Sequence, residues 1–245
     1  MLFYLALPFV VLVTIYHTFS SMVAALVDKS GVRYHNVLRR WSKNLLWLLR
    51  VKVHAHGAEN LPLTTNYVYL ASHSSYLDIL ALGATVPDPI RFIFKEEITR
   101  VPIFGWGLAL GPYIQIDRAD ARNAMASIEK AAGEIRDGAS VVIFPEGTRT
   151  SDGRLGPFKR GGFMLATRSG VPMVPVAIQG SYELLSRRDW KVKPGTIDIT
   201  FGTPIQGKQN LNRAEEQGIQ KAVREQLLAM LGQEDAPVVS KVAEG

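Results

Sequence analysis

The chain has 245 residues, 47% of them hydrophobic and 20% charged, which is enough for one large globular domain with a well-buried core or two small ones and argues against disorder. It contains no cysteine, and this excludes disulfides, thiol nucleophiles, thiolate zinc sites and iron–sulfur clusters. The formal net charge of +6 and the pI of about 9.5 indicate an anionic partner, either nucleic acid, an acidic membrane surface or a phosphorylated substrate.

The first predicted element is an apolar helix over residues 1–27, a segment that carries no formal charge before Asp28. Its length is enough to cross a bilayer, which takes about 20 apolar residues. Pro8 and the polar side chains around His17 weaken the case for a simple span. A cleaved signal peptide fits poorly because no Lys or Arg precedes the apolar run, and a buried core helix is the remaining alternative.

A basic segment follows, in which seven Lys or Arg residues and no acid lie between Lys29 and Ala58. Within it Leu38, Trp41 and Leu45 recur at helical spacing, and the basic side chains fall mainly on other faces. Such a basic amphipathic helix suits the headgroup layer of an anionic membrane, although an ordinary surface helix that covers the core shows the same pattern. Residues 1–50 therefore predict a membrane-docking helical pair, whose basic residues would keep this side cytoplasmic.

From residue 51 onward, short apolar runs alternate with helical stretches. This alternation predicts the α/β class, with a single domain over residues 51–232 in which helices flank a mixed, largely parallel central sheet. The predicted strands are Val51–His56, Tyr67–Ala71, Arg91–Phe94, Pro112–Ile116, Ser140–Phe144, Met173–Ile178 and Thr196–Phe201. The predicted helices are Leu77–Thr85, Asp120–Asp137, Phe158–Ser169 and Arg213–Leu231. Residues 233–245 predict a frayed C-terminal tail.

Reactive residue types follow four of the predicted strands. They are His73, Lys95, the pair Asp117 and Arg118, and the stretch "FPEGTR" at residues 144–149. Ligands bind at the carboxyl edge of an open α/β sheet where its strands run parallel, so this placement predicts that the four groups share one ligand-binding site. The alternative is that they are ordinary polar loop residues, which are common in any protein.

His73 and Asp78 lie five positions apart in "SHSSYLD". If a helix begins at Leu77, Asp78 lies in its first turn and can accept a hydrogen bond from one imidazole nitrogen, which leaves the other nitrogen as a base near neutral pH. The competing nucleophiles are Ser72, Ser74 and Ser75, none of which lies in a G-x-S-x-G elbow. The chain also lacks a phosphate-binding P-loop and a dinucleotide-binding fingerprint, which argues against nucleotide-driven and hydride chemistry.

Arg149 and Lys95 are predicted anion binders, because Arg can grip a phosphate in bidentate fashion. Gly147 allows the backbone to turn sharply and present Arg149. Glu146 either orients Arg149 or hydrogen-bonds a polyol substrate, and a plain turn with a salt bridge is the alternative. Arg118 is a weaker candidate, since an ion pair within its own loop explains it equally well.

The stretch "RVPIFGWGLALGPYIQIDR" is apolar and rich in small residues, namely Gly105, Gly107, Ala109 and Gly111. Small residues predict either a groove for a hydrocarbon chain or dense core packing, and the sequence favours neither. His54 and His56 share one face of a strand without a third ligand nearby, so we interpret them as surface histidines and predict no metal site.

Four blocks in order, "SHSSYLD", "KEEITRVPIFGWGLALGPYIQIDR", "FPEGTRTSDG" and "VPMVPVAIQG", resemble the lysophosphatidate acyltransferases (1-acylglycerol-3-phosphate O-acyltransferases) of the glycerolipid acyltransferase superfamily. The resemblance covers roughly residues 65 to 185. The N-terminal helices are similar to the membrane-docking helices of bacterial members. One position differs, because the residue before the histidine is often Asn in the family and is Ser72 here.

The resemblance implies transfer of an acyl group from acyl-CoA or acyl-carrier protein to the sn-2 hydroxyl of lysophosphatidic acid, with His73 as general base and Asp78 as the residue that orients it. The implied substrate-binding residues are Lys95, Arg118, Glu146, Gly147, Thr148 and Arg149, with Lys95 and Arg149 on the acceptor phosphate. No metal or cofactor beyond the acyl donor is implied, and no nucleic acid.

The implied location is an anionic phospholipid membrane, at the cytoplasmic face of a bacterial inner membrane. The alternatives are another acceptor (a lysophospholipid, a lyso-ornithine lipid or glycerol 3-phosphate), a thioesterase, and a lipid-binding protein without turnover.

Overall fold

A computed structural model describes residues 2–62, 64–116, 121–209 and 211–235 of the chain. The side chains of residues 2–3, 95–97, 115–116 and 121–126 are outside this description. Asp117, Arg118 and most of the predicted C-terminal tail therefore lie outside the described residues.

The described elements alternate between helices and strands after an N-terminal helical pair. The helices are α1 (Leu2–Val27), α2 (Val32–Leu48), α3 (Leu77–Thr85), α4 (Phe104–Leu110), α5 (Ala121–Arg136), α6 (Arg160–Ser169), α7 (Ser181–Leu184) and α8 (Arg213–Leu231). The strands are β1 (Val51–His56), β2 (Val68–Ala71), β3 (Ile90–Lys95), β4 (Ile114–Ile116), β5 (Ser140–Ile143), β6 (Met173–Gln179) and β7 (Gly195–Phe201). Every strand and helix predicted after residue 50 is present, with ends within two residues of the prediction.

The strands form one sheet in the order β1-β7-β6-β2-β5-β3-β4. Neighbouring strands pair in parallel except at β6 and β7, which are antiparallel. Five strands, β6, β2, β5, β3 and β4, therefore point the same way. The predicted mixed, largely parallel sheet is confirmed, and the carboxyl ends of β2, β3, β4 and β5 all lie at the same edge.

The central strand β2 is fully buried, and its side chains alternate between two cores. Tyr69 and Ala71 pack in the cluster that includes α2 and α3, and Val68 and Leu70 pack in the cluster that includes α5, α6 and α8. Burying a side chain such as Leu70 contributes about 1.5–3 kcal/mol. The strand is thus held from both faces, which fixes the position of the loop that follows it.

The apolar face of α2 contacts the protein rather than solvent. Leu38 and Leu45 are buried, and Trp41 is partly buried against the same core. The interpretation of α2 as a surface helix that covers the core is therefore correct for these residues. Trp47 differs, since 78% of it is exposed.

α1 packs against α2 and α4 along one side and leaves the other side exposed. Within it, Tyr4–Val27 is long and apolar enough to cross a membrane, with a mean hydropathy of 1.9, and only 22% of its 18-residue apolar window is buried. The core helix of a soluble protein also passes this length test but is mostly buried. The low burial of α1 therefore argues against the core-helix alternative.

The glycine-rich stretch forms a helix, α4, that its sequence pattern does not predict. A Cβ at Gly105 would lie 2.3 Å from the carbonyl oxygen of Thr99, and a Cβ at Gly111 would lie 2.5 Å from the ring of Tyr34. These distances are shorter than van der Waals contact, so dense packing explains both glycines.

Candidate active site

The loop after β2 holds His73 by its backbone on both sides. The His73 N–H donates to Oε1 of Glu146 at 2.9 Å, and the His73 carbonyl accepts from the N–H of Thr150, also at 2.9 Å. The imidazole stacks on the ring of Phe144, with centroids 3.9 Å apart and planes 18° from parallel. Two loops from adjacent parallel strands thus position one imidazole.

Asp78 lies in the first turn of α3 and is fully buried. Its Oδ2 accepts from His73 Nδ1 at 2.9 Å and from the backbone N–H groups of Ser74 and Ser75 at 2.8 and 2.9 Å. A carboxylate only accepts, so the proton is on Nδ1 and Nε2 is the nitrogen that can take up a proton. The hydrogen bond between the imidazole and a carboxylate in the first turn of the helix, which the spacing predicts, is present in the structure.

The three serines of the same loop have structural contacts. The Oγ of Ser72 accepts from the N–H of Ile178 at 3.0 Å, which ties the end of β2 to β6. Ser75 is buried and donates to the carbonyl of Leu185 at 2.8 Å, and Ser74 lies 3.0 Å from the hydroxyl of Ser181. These contacts argue against a serine nucleophile, and they give Ser72 a role that does not involve substrate.

Glu146 is 3% exposed, and both of its carboxylate oxygens accept backbone N–H groups, from His73 and, at 3.2 Å, from Gly156. It therefore connects the loops after β2 and β5. The expected partner from the sequence was Arg149 or a polyol substrate. Burial raises the pKa of Glu146 to about 7, and the negative charge of Asp78 acts in the same direction, against the two backbone hydrogen bonds.

We expect Glu146→Gln to remove a pH dependence of stability. Because the pKa of this carboxyl rises from 4.5 to about 7 on folding, its contribution to the free energy of unfolding is fully present below pH 4.5 and is lost as pH rises through 7. The total change is about 3 kcal/mol. Urea unfolding at pH 5 and pH 8 should show a smaller difference for Glu146→Gln than for the wild type.

The control is Glu183→Gln, which removes an exposed carboxylate from α7. It should unfold with the pH dependence of the wild type. An unchanged pH dependence in Glu146→Gln would contradict the buried, elevated carboxyl.

The turn after Glu146 presents Arg149. Gly147 has a φ of 68°, in the left-handed region that favours glycine, and a Cβ there would lie 2.9 Å from Cδ of Lys159. The guanidinium of Arg149 lies over the ring of Tyr76, 3.6 Å from its centroid. This cation–π contact positions the guanidinium, whose N–H groups can bind an anion.

A cavity of about 940 Å³ begins at these residues and extends under α1, α2 and α4. Its polar end is lined by His73, Tyr76, Gly147, Thr148, Arg149 and Lys159. Its far end is lined by apolar side chains and a few hydroxyls, among them Leu38, Trp41, Leu45, Phe104, Thr18 and Ser21. The volume is at the upper end of the range of about 300–1,000 Å³ that is usual for ligand sites.

Gly107 lines this cavity, and a Cβ there would lie 2.9 Å from Cγ2 of Thr18 on α1. The small residue therefore brings α4 close to α1 at the wall of an open cavity. Gly107 therefore both packs closely against α1 and lines a cavity.

The structure brings six of the predicted residues to one edge of the sheet: His73, Asp78, Glu146, Gly147, Thr148 and Arg149. Lys95 ends β3 at the same edge, but its side chain is outside the description, and Arg118 lies outside the described residues.

Tyr76 and Lys159 line the cavity and were missed. Lys159 directly precedes α6, whose first turn contributes Gly161 and Gly162 to the cavity wall. The sequence signal that could have identified Lys159 is "KRGG", a basic pair before two glycines at the start of a predicted helix.

His54 and His56 are exposed beside Asp198, whose carboxylate lies 3.2 Å from His54 and 3.8 Å from His56. Among the described residues there is no group of three or more side chains arranged to hold a metal ion.

Comparisons with known proteins agree on one family. The model of the family "Acyltransferase" matches residues 52–179. The 1-acyl-sn-glycerol-3-phosphate acyltransferase of Pseudomonas aeruginosa is 33% identical over 205 residues, which cover 82% of this chain and 78% of that protein. The chloroplastic 1-acyl-sn-glycerol-3-phosphate acyltransferase BAT2 of Brassica napus is 32% identical over 186 residues, which cover 75% of this chain. The chain spans 54% of the length of that plant protein.

Among solved structures, the crystal structure of the 1-acyl-sn-glycerophosphate (LPA) acyltransferase PlsC from Thermotoga maritima has the same fold, with a TM-score of 0.71 and 24% sequence identity. The match covers 94% of this chain and all of that one. Since the family match takes in more than half of the chain and contains both loops that hold His73, the chain belongs to the acyltransferase family, with the 1-acyl-sn-glycerol-3-phosphate acyltransferases as its relatives.

Proposed function

We propose that the protein transfers an acyl group from an acyl thioester, acyl-CoA or acyl-carrier protein, to the sn-2 hydroxyl of lysophosphatidic acid, forming phosphatidic acid. One observation supports this above the others. The His73–Asp78 pair, with 2.9 Å between Nδ1 and Oδ2, lies at the polar end of an apolar cavity that Arg149 also lines. A base, a cation and an apolar cavity are the three features that an acceptor with a hydroxyl, a phosphate and a hydrocarbon chain requires.

The reaction proceeds in one covalent exchange. Nε2 of His73 takes the proton of the acceptor hydroxyl as its oxygen attacks the thioester carbonyl, and the carbon–oxygen bond forms. The tetrahedral oxyanion then collapses, the carbon–sulfur bond breaks, and the imidazolium returns its proton to the departing sulfur. Asp78 stabilises the imidazolium between these steps, and general base catalysis of this kind contributes about 10²–10⁴-fold. No covalent acyl-enzyme is required, in keeping with a chain without cysteine.

The acceptor phosphate binds at Arg149. Lys159 lies on the same cavity wall, and the first turn of α6 presents backbone N–H groups and the positive end of its dipole there. Lys95 ends the neighbouring strand β3 and is proposed as a further cation for this phosphate. Thr148 is proposed to line the same pocket, with Arg118 as a further substrate-binding residue.

We expect Arg149→Ala to raise the KM for lysophosphatidic acid about 10–100-fold, because a charge-assisted hydrogen bond to phosphate contributes about 1.5–3 kcal/mol. The KM for the thioester should change little, and kcat should fall less than kcat/KM. Initial rates with the acceptor and the donor varied separately provide the measurement.

Arg154→Ala is the matched control, since Arg154 is exposed in the same loop and is not among the residues that line the cavity. It should keep the KM of the wild type for both substrates. An unchanged acceptor KM in Arg149→Ala would refute the phosphate contact.

The hydrocarbon chain of a lipid substrate fits the part of the cavity under α1, α2 and α4. α1 exposes apolar side chains along its outer side, and Trp47 of α2 is exposed as well. We therefore propose that α1 and α2 seat the enzyme in an anionic phospholipid membrane, at the cytoplasmic face of a bacterial inner membrane. The lipid substrates would enter the cavity from this membrane. The reaction uses no cofactor beyond the acyl donor.

The deciding experiment is an acyl transfer assay with the purified, detergent-solubilised chain and an oleoyl thioester on CoA or on acyl-carrier protein. Lysophosphatidic acid, lysophosphatidylcholine, glycerol 3-phosphate and no acceptor are compared. Product from lysophosphatidic acid alone supports the proposal, and transfer to another acceptor keeps the mechanism and replaces the substrate. Thioester loss without acceptor indicates a thioesterase, and no turnover in any mixture indicates a lipid-binding protein.

A further inference from the structure

The segment between α7 and β7 contains an exposed, strongly basic loop, residues 186–193, with the sequence "SRRDWKVK". Its four cations are Arg187, Arg188, Lys191 and Lys193, and its single acid is Asp189. Trp190 lies at the centre of the loop with 65% of it exposed. A large exposed indole among cations is typical of a membrane interface, where tryptophan is enriched.

This basic loop lies against the start of α1. The rings of Trp190 and Tyr4 meet edge to face with centroids 5.5 Å apart, and Nζ of Lys191 lies 5.6 Å from the centroid of the Tyr4 ring. Beyond Tyr4, α1 exposes large apolar side chains along most of its length, including Leu5, Phe9, Leu12, Tyr16, Phe19 and Val23. The loop and the outer side of α1 therefore form one continuous surface, apolar along the helix and basic at its start.

The same loop adjoins the candidate active site. Arg187 donates through Nη1 to the carbonyl of Arg149 at 3.4 Å, and the hydroxyl of Ser75 donates to the carbonyl of Leu185 just before the loop. Whatever the basic loop contacts thus lies next to the polar end of the cavity.

We infer that the basic loop is a second membrane contact, separate from the helical pair, in which Trp190 sits among the headgroups of an anionic bilayer and the cations contact lipid phosphates. Tryptophan prefers this layer, and each Lys or Arg near an anionic bilayer strengthens binding. The continuity with the apolar side of α1 favours a lipid surface over an acidic protein, because an acidic protein complements the loop but not the helix. Docking through the loop holds the polar end of the cavity against the bilayer.

The absence of cysteine from the chain allows a single-site probe in the full-length protein. In Trp190→Cys, an environment-sensitive fluorophore is attached at position 190 and the protein is reconstituted into nanodiscs that contain phosphatidylglycerol. We expect a blue-shifted emission and a several-fold lower quenching constant for iodide, compared with the same protein in detergent. The matched probe is Lys221→Cys on α8, on the opposite face of the sheet, which should stay accessible to iodide in both media. Equal quenching at the two positions in nanodiscs would overturn the inference.

A second experiment tests how much the positive charges of the basic loop contribute to its contact with the membrane. Arg188→Gln with Lys191→Gln, placed in the labelled Trp190→Cys background, removes two cations from the loop. The balance between inserted and water-exposed probe should shift towards the exposed form by up to about 30-fold. The control pair Arg213→Gln and Lys221→Gln removes two cations from α8 and should leave this balance unchanged. Equal effects of the two pairs would contradict a specific contact at the loop.

A third experiment distinguishes a membrane from a protein as the partner of the basic loop. Acidic acyl-carrier protein is added to the labelled protein in detergent. A response to the carrier protein without a response to anionic nanodiscs would replace the membrane with a protein docking surface and refute the inference. Fluorescence does not depend on turnover, so the result stands whatever the acyl acceptor proves to be.

Discussion

Replacement of His73 by alanine should lower kcat/KM for acyl transfer by roughly 10²–10⁴-fold while the protein stays folded. Among the described residues, His73 is the only histidine at the polar end of the cavity whose imidazole is hydrogen-bonded to a carboxylate, that of Asp78. Binding of both substrates should persist, because the cavity walls and Arg149 are unchanged. The loss should therefore appear mainly in kcat and only slightly in KM.

The His73→Ala protein should still fold with a lower free energy of unfolding, because Asp78 loses the imidazole donor but keeps the backbone N–H groups of Ser74 and Ser75. The imidazole stacks on Phe144 at the edge of the cavity, and losing such a ring contact costs about 0.5–1.5 kcal/mol. Thermal unfolding of the two proteins in the same detergent checks this. His54→Ala is the matched control, because His54 is an exposed histidine on β1 and should leave turnover at the wild-type level. Full activity in His73→Ala would remove the general-base mechanism.

The elements of the fold were predictable where the periodicity of the hydrophobic residues matches the pattern of burial in the structure. β2 is a run of four apolar residues buried on both faces, and α3 begins where an acidic residue falls in the first turn. The edge of the sheet that carries the site followed from the same reasoning, because four polar groups followed four strands that proved to be parallel. To predict the hydrogen bond between His73 and Asp78, it was enough to predict that a helix starts at Leu77.

Features that depend on tertiary contacts were not predictable. α4 was missed because Gly105 and Gly107 lower its helix propensity, and close packing against Thr99 and α1 stabilises it instead. Glu146 was placed next to Arg149 by sequence proximity, whereas its oxygens reach backbone N–H groups 73 and 10 residues away. Local sequence carries no signal for contacts of this kind.

The amphipathic pattern of α2 was ambiguous for a physical reason. Leu38 and Leu45 face an apolar environment in either case, and a stripe of apolar residues does not record whether that environment is lipid or protein. Trp47 on the same helix is exposed, so one helix carries both a side chain packed in the core and a large apolar side chain outside it.

Replacement of Asp78 by asparagine should lower kcat/KM by roughly 10²–10⁴-fold, close to the effect of removing the base itself. The amide oxygen of asparagine can accept the same N–H groups of Ser74 and Ser75, so the loop keeps its course, but the negative charge that stabilises the imidazolium is lost. The same substitution in a Ser-His-Asp triad costs about 10⁴ in kcat. Initial rates with saturating acceptor, alongside thermal unfolding, give the comparison.

The double variant decides whether Asp78 acts through His73 or only holds the loop. If Asp78 acts through the imidazole, His73→Ala with Asp78→Asn should be no slower than His73→Ala alone, because the carboxylate has nothing left to orient. If Asp78 is only structural, the two losses should multiply, and the loss in Asp78→Asn should follow its unfolding temperature. Oδ1 of Asp78 is buried without a hydrogen-bond partner among the described residues, so an amide nitrogen there should destabilise the fold by about 1–3 kcal/mol. A fully folded Asp78→Asn protein with a large loss of kcat would separate the two roles in favour of catalysis.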